Sequence, residues 1–137
     1  MMKHYDCIAI GTGSAMSVVE GLLNAKQDAL VAVVDKDDPG GICLTRACIP
    51  SKLLVYPAEV LRQVEEAEKH GIEVDIRGVD FQGIMERMRS IVSTESKEIG
   101  KSLQESESVD YYRETARFTG PYTMKAGDQE ITADMIV

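Results

Sequence analysis

The spacing of apolar positions changes along this chain, and each change predicts a different element. Tyr5–Ile10 reads YDCIAI, a short, partly β-branched run that fits a buried strand, and GTGS follows at once. From Ala15 to Lys26 the apolar residues Met16, Val19, Leu22 and Leu23 take helical spacing, and ALVAVVD from Ala29 to Asp35 returns to a continuous apolar run. Together these predict a βαβ unit over 1–36 with parallel strands. After Pro39-Gly40-Gly41 the segment 40–70 carries two cysteines and then a helix to about Lys69. Leu53, Leu54, Val60, Leu61 and Val64 lie on one side of that helix, Pro57 is expected to bend it, and Gly71 to stop it.

A second helix is predicted over 80–106, capped by Asp80 and holding a 3-4 rhythm through Phe81, Ile84, Met85, Met88, Ile91, Val92, Ile99 and Leu103. It would be roughly 40 Å long, so part of its apolar face is expected to meet something outside this chain. From 109 to 137 the period shortens. Runs at Val109–Arg113, Ala116–Phe118, Tyr122–Lys125 and Glu130–Thr132 are split by Gly120-Pro121 and Ala126-Gly127-Asp128, a β-meander signature. The final MIV is an apolar strand without a turn signal, which reads as a cut inside a fold before the domain closes. An unpaired last strand and an uncovered helix face predict self-association.

Composition narrows the picture. The 137 residues, 44% hydrophobic and 28% charged, suit one modest globular core. A formal charge of −8, with Lys and Arg scattered among acids, argues against a nucleic-acid or anionic-membrane surface. No apolar run approaches membrane-spanning length, and the N-terminus has no secretory pattern, so a soluble cytoplasmic protein is expected. In a reducing compartment a close cysteine pair is more often catalytic, redox-sensing or metal-binding than structural.

Gly11 and Gly13 supply the first two positions of a G-x-G-x-x-G turn between strand and helix. The first allows the tight turn; the second lets a pyrophosphate approach the backbone at the positive end of the helix. Met16 takes the third position, where a glycine would allow close helix–strand packing, so a small neighbour such as Ala15 has to compensate. Asp35 ends the next strand at about the distance where an acid accepts the ribose hydroxyls of a dinucleotide. The pattern predicts dinucleotide binding and does not choose between FAD and NAD.

Cys43 and Cys48 stand five positions apart in GGICLTRACIPSK. On an ideal helix they would be separated by about 140°, so a disulfide between them requires Leu44–Ala47 to leave regular helix. Pro50 suits a first helical turn, which places Cys48 at the helix start; there the dipole favours a thiolate, with Lys52 one turn on. A redox-active disulfide is one reading. A metal site is another, although Cys-x4-Cys is unlike a zinc knuckle and the remaining ligands would have to come from Cys7, His4 or His70. Two inert core cysteines are the third. Cys7 itself reads as a small core residue, and His4 and His70 as solvated.

The motif GGxCxxxxCIPSK, with YDCIAIGTGSA, VAVVDK, ETARFTGPYT and ITADMIV, resembles the class I pyridine nucleotide-disulfide oxidoreductases across essentially the whole chain, and CIPSK leans toward the dihydrolipoamide dehydrogenase branch. The resemblance implies an α/β, Rossmann-like FAD/NAD(P)-binding fold with a parallel sheet, helices and a β-meander. The chain would be the N-terminal part of the FAD domain, without the NAD and dimer-interface domains. It implies FAD held at Gly11, Gly13, Ser14, Ala15, Asp35, Lys36, Gly41, Cys43 and Lys52, with adenine near the backbone of Ala116. Cys43 would exchange with a small dithiol substrate, Cys48 would form the charge-transfer thiolate, and Lys52 would stand near the flavin. NAD would accept the electrons in a homodimeric parent, no metal is implied, and the fragment would be inactive alone. Three positions depart from the pattern: Met16; Ala47, where a glycine is usual and strain is expected; and Glu114, where a glycine often precedes the adenine loop. A non-catalytic module that binds a dinucleotide or a partner, with the cysteines as a thiol switch, is the competing expectation.

Overall fold

The computed structural model describes residues 2–137, which divide into two compact units. One joins the stretch up to Gly41 with Glu95–Val137, and the other is Ile42–Thr94. The first unit is built on a six-stranded sheet. Its strands are β1 (Lys3–Ile10), β2 (Val31–Val34), β3 (Val109–Tyr112), β4 (Ala116–Gly120), β5 (Thr123–Ala126) and β6 (Gln129–Ile136), in the order β3-β2-β1-β6-β5-β4. β3, β2, β1 and β6 run parallel, with Cys7 opposite both Val31 and Met135. β4 and β5 add to β6 as antiparallel strands.

The predicted βαβ unit is present: α1 (Met16–Ala25) connects β1 to the parallel β2. Every residue of β2 is buried because both faces of the sheet are covered. Val31 and Val33 join Cys7, Ala9, Val19, Leu103 and Val109 in one core, against which Ala15, Met16, Leu22, Leu23 and Ile99 pack. Ala32 and Val34 join Tyr5, Ile8, Met124, Ala126, Ile131 and Ala133 in the other.

Two expectations about the C-terminal third are corrected. The run at Val109–Arg113 is not part of the meander: β3 pairs in parallel with β2 at the far edge of the sheet, and only β4–β6 form the meander. A four-residue strand gives the same alternation in either setting, so its partner was not readable from its own residues. The last strand is also not unpaired. β6 lies between β1 and β5, and the open edges are β3 and β4.

The second unit is helical. α2 (Gly41–Thr45) enters it, α3 (Cys48–Glu66) runs through Pro57 as a single helix, and a 3-10 turn (Ala67–His70) ends at Gly71, whose φ of 76° gives the expected left-handed stop. α3 has no fully buried residue. Leu54, Val60, Leu61, Val79, Phe81 and Ile84 line an apolar groove of about 380 Å³. α4 (Phe81–Glu105) follows, its first turn closed by the Asp80 carboxylate, which accepts the Gly83 N–H at 2.9 Å. From Glu95 on, α4 belongs to the first unit, and its buried residues Ser96 and Leu103 lie there.

One polar cluster joins two parallel strands of the sheet unit. The Asp110 carboxylate accepts hydrogen bonds from Lys3 Nζ and Tyr5 Oη, and Tyr5 Oη contacts Tyr112 Oη at 2.6 Å. Burial pushes the Asp110 carboxyl up, but the two donors together outweigh it and hold the group below the ordinary carboxylate range. A depressed carboxyl stabilises the fold fully above the unfolded value of about 4, and that contribution fades as pH falls through the folded value. Acid unfolding followed by circular dichroism should therefore be shallower below about pH 4 in Asp110→Asn than in the parent chain. Identical acid limbs would show that the cluster does not contribute in this way.

Candidate functional site

The glycine turn leaves β1 with Gly11 at φ 92°, a left-handed conformation that a side chain would strain. α1 then starts at Met16, with Ala15 at the cap position, no side-chain cap and no acid in its first turn. The N–H groups of Gly13, Ser14 and Ala15 make no backbone hydrogen bond among the described residues, and Gly13 and Ser14 are exposed. Accessible donors at an uncapped helix N-terminus are what an anionic pyrophosphate requires. These residues therefore fit the phosphate portion of a dinucleotide. Met16 takes the third motif position without displacing the helix start, since both it and Ala15 pack into the core.

Asp35 stands just beyond β2, half-buried. Its Oδ2 accepts the Thr12 N–H at 2.8 Å and the Thr12 hydroxyl at 2.6 Å, and its Oδ1 accepts the Asp37 N–H at 3.0 Å. Lys36 follows it, exposed. Thr12 is 4% exposed and its hydroxyl also accepts the Gly40 N–H at 2.9 Å. The glycine pair therefore belongs to the same site. A Cβ on Gly41, at φ 64°, would lie 2.5 Å from the Gly13 Cα, so the two backbones touch where neither residue has a side chain. From the other side, the Ser96 hydroxyl donates to the Pro39 carbonyl at 2.5 Å. Gly13, expected to make room for phosphate, is seen to make room for Gly41.

The helical unit carries the cysteines. Cys43 lies in α2, Cys48 is the first residue of α3, and the two form a disulfide with Cα atoms 4.6 Å apart. The chain between them leaves regular helix as its spacing required: the N–H groups of Arg46 and Ala47 both point to the Ile42 carbonyl, at 3.0 and 2.9 Å. Ala47 has φ −128° and ψ −92°. That φ lies outside the left-handed region, so the alanine does not stand where a positive φ would demand glycine. Both cysteines are exposed, as is Lys52 one turn into α3. Cys7 is buried and free, and burial pushes its thiol above the ordinary value. No group of three or more potential metal ligands occurs among the described residues.

Ala116 begins β4 and packs against the core. Glu114, the third departure from the pattern, folds its side chain over Gly127, which has φ 57°. Sequence reasoning missed Thr12. A small polar residue inside a glycine turn gives no periodic signal, and only a donor–acceptor count around Asp35 would have singled it out.

A glycine turn on a parallel sheet, an acid at the end of the second strand and a disulfide opening a helix are the features by which the chain is similar to the disulfide oxidoreductases. The particular relatives agree. Dihydrolipoyl dehydrogenase of Chlamydia pneumoniae is 35% identical over 92 residues, 67% of this chain and 20% of the relative. That of Bacillus subtilis is 31% identical over 88% of this chain and 25% of the relative. Mycothione reductase of Mycobacterium tuberculosis is 29% identical over 99% of this chain and 30% of the relative. The chain thus spans 20% to 30% of the length of these curated relatives. Among solved structures, the HOCl-induced flavoprotein disulfide reductase RclA from Escherichia coli, in a Cu(II) complex, matches 98% of this chain and 28% of its own, with a TM-score of 0.72 and 23% identity. That likeness establishes the fold. No protein-family model matches the chain.

Proposed function

We propose that this chain is the N-terminal, FAD-binding portion of a dihydrolipoyl dehydrogenase-like enzyme, and that its own chemical work is thiol–disulfide exchange at Cys43–Cys48. The observation that carries the reading is that disulfide, exposed and opening α3, in a chain that also has the nucleotide turn. The pyrophosphate would be held by the amides of Gly13, Ser14 and Ala15 and the ribose by Asp35, with Gly11, Lys36, Gly41, Lys52 and Ala116 contributing as the family pattern implies. FAD, when bound, supplies the onward removal of two electrons, and NAD receives them in the intact parent.

The exchange follows from the helix position. A substrate thiolate attacks the Cys43 sulfur, the Cys43–Cys48 bond breaks, and Cys48 leaves as a thiolate at the N-terminus of α3, where the dipole and the Lys52 ammonium one turn away favour negative charge. The second substrate thiolate then attacks its own sulfur in the mixed disulfide and releases Cys43 as a thiolate. The dithiol has become a disulfide, and the Cys43–Cys48 pair has taken up its two electrons. We place the parent in the cytoplasm as a homodimer acting on a small dithiol. None of the described helices is long and apolar enough to cross a membrane.

A visible spectrum of the purified chain with FAD, before and after one equivalent of dithiol, tests the reading. Retained flavin with a new long-wavelength band on reduction is expected. FAD left unbound by both this chain and the intact parent would sink the assignment and leave a thiol-switch module in its place.

A further inference from the structure

Within the proposed FAD site, we infer that Thr12 is the positioning residue for the ribose acceptor, and that it restricts Asp35 to a single free acceptor position. The argument is a count of lone pairs. A carboxylate oxygen accepts two hydrogen bonds in good geometry. Oδ2 of Asp35 is filled by the Thr12 N–H and hydroxyl, while Oδ1 accepts, among the described residues, only the Asp37 N–H. One position therefore remains, on Oδ1, and it suffices for one ribose hydroxyl and not for two.

Thr12 enforces this arrangement because its hydroxyl is committed on both sides. It donates to Asp35 and accepts from Gly40, and the residue is buried. Serine reproduces both bonds. Valine, with nearly the same shape, makes neither and leaves the Gly40 N–H without its acceptor. The same hydroxyl thereby ties the carboxylate to the Gly40–Gly41 loop, which is already seated on Gly13 and anchored through Pro39 to Ser96. The carboxylate's rotamer and the loop's closure are set by one side chain.

This inference rests on the FAD reading, and the experiment separates the two. FAD and its 2′-deoxy- and 3′-deoxyadenosine analogues are titrated against the wild-type chain, Thr12→Val and Thr12→Ser, with Gly40 amide exchange followed by NMR. In the wild type one analogue should bind about tenfold more weakly than FAD and the other like FAD. Thr12→Val should flatten that difference and lose Gly40 protection, and Thr12→Ser should keep both. Equal losses for both analogues in the wild type would overturn the single-acceptor inference even if Thr12→Val failed to fold. An unchanged pattern, or unchanged Gly40 protection, in folded Thr12→Val would overturn the positioning role. No binding of FAD by either the wild-type chain or the intact parent would overturn the cofactor reading, and this inference with it.

Discussion

Cys48→Ser is expected to abolish the two-electron capacity of the chain. The oxidised wild type should consume one equivalent of dithiol and then show two reactive thiols, those of the Cys43–Cys48 disulfide. The variant should consume none and show one, because Cys43 can still attack a disulfide but has no internal partner to release it. Given the disulfide form of the substrate instead, the Cys43 thiolate should attack it, release one substrate thiolate and leave a mixed disulfide visible by mass spectrometry. The effect is complete because exchange needs a leaving thiolate, and a serine hydroxyl is far too basic to leave in its place. Cys7→Ser is the control: its thiol is buried in β1, so dithiol consumption should be unchanged. Catalytic oxidation of dithiol by Cys48→Ser would refute the assignment of the exchange chemistry to this pair.

The second large effect is expected from Gly41→Ala. At φ 64° an alanine strains the backbone, and its Cβ would lie 2.5 Å from the Gly13 Cα and 3.0 Å from the Gly13 nitrogen. Neither neighbour is the end of a flexible side chain, so the turn itself has to move. A loss of about 3 kcal/mol or more in urea unfolding is expected from strain and overpacking together. Gly71→Ala isolates the first contribution: its φ is 76°, and nothing lies within 4 Å of the position its Cβ would take. That variant should lose only about 1 kcal/mol. Equal losses would show that the Gly13–Gly41 contact does not contribute.

The sequence was most informative where one local rule decides the outcome. The turn at Gly11, the capping of α4 by Asp80, the stop at Gly71 and the irregular turn before Cys48 each depend on a few neighbouring residues, and each is found as read. Strand partnership was less legible. Val109–Tyr112 and Ala116–Gly120 are both short, yet one closes the parallel edge and the other the antiparallel edge, because pairing is settled by how the whole chain crosses over. The site shows the same division. Asp35 and the cysteines stand out by spacing, whereas the partnership of Thr12 with Asp35 and Gly40 joins positions 23 and 28 residues apart and leaves no trace in either segment alone.

The placement of Cys7 also governs how faithfully the chain can be reoxidised. Three cysteines allow three one-bridge isomers, but two of them would require drawing Cys7 out of the central strand, where it faces Val31 on one side and Met135 on the other. Repeated reduction and oxidation of the folded chain therefore returns one isomer, without help from an isomerase, and scrambling becomes a reporter of unfolding of the sheet.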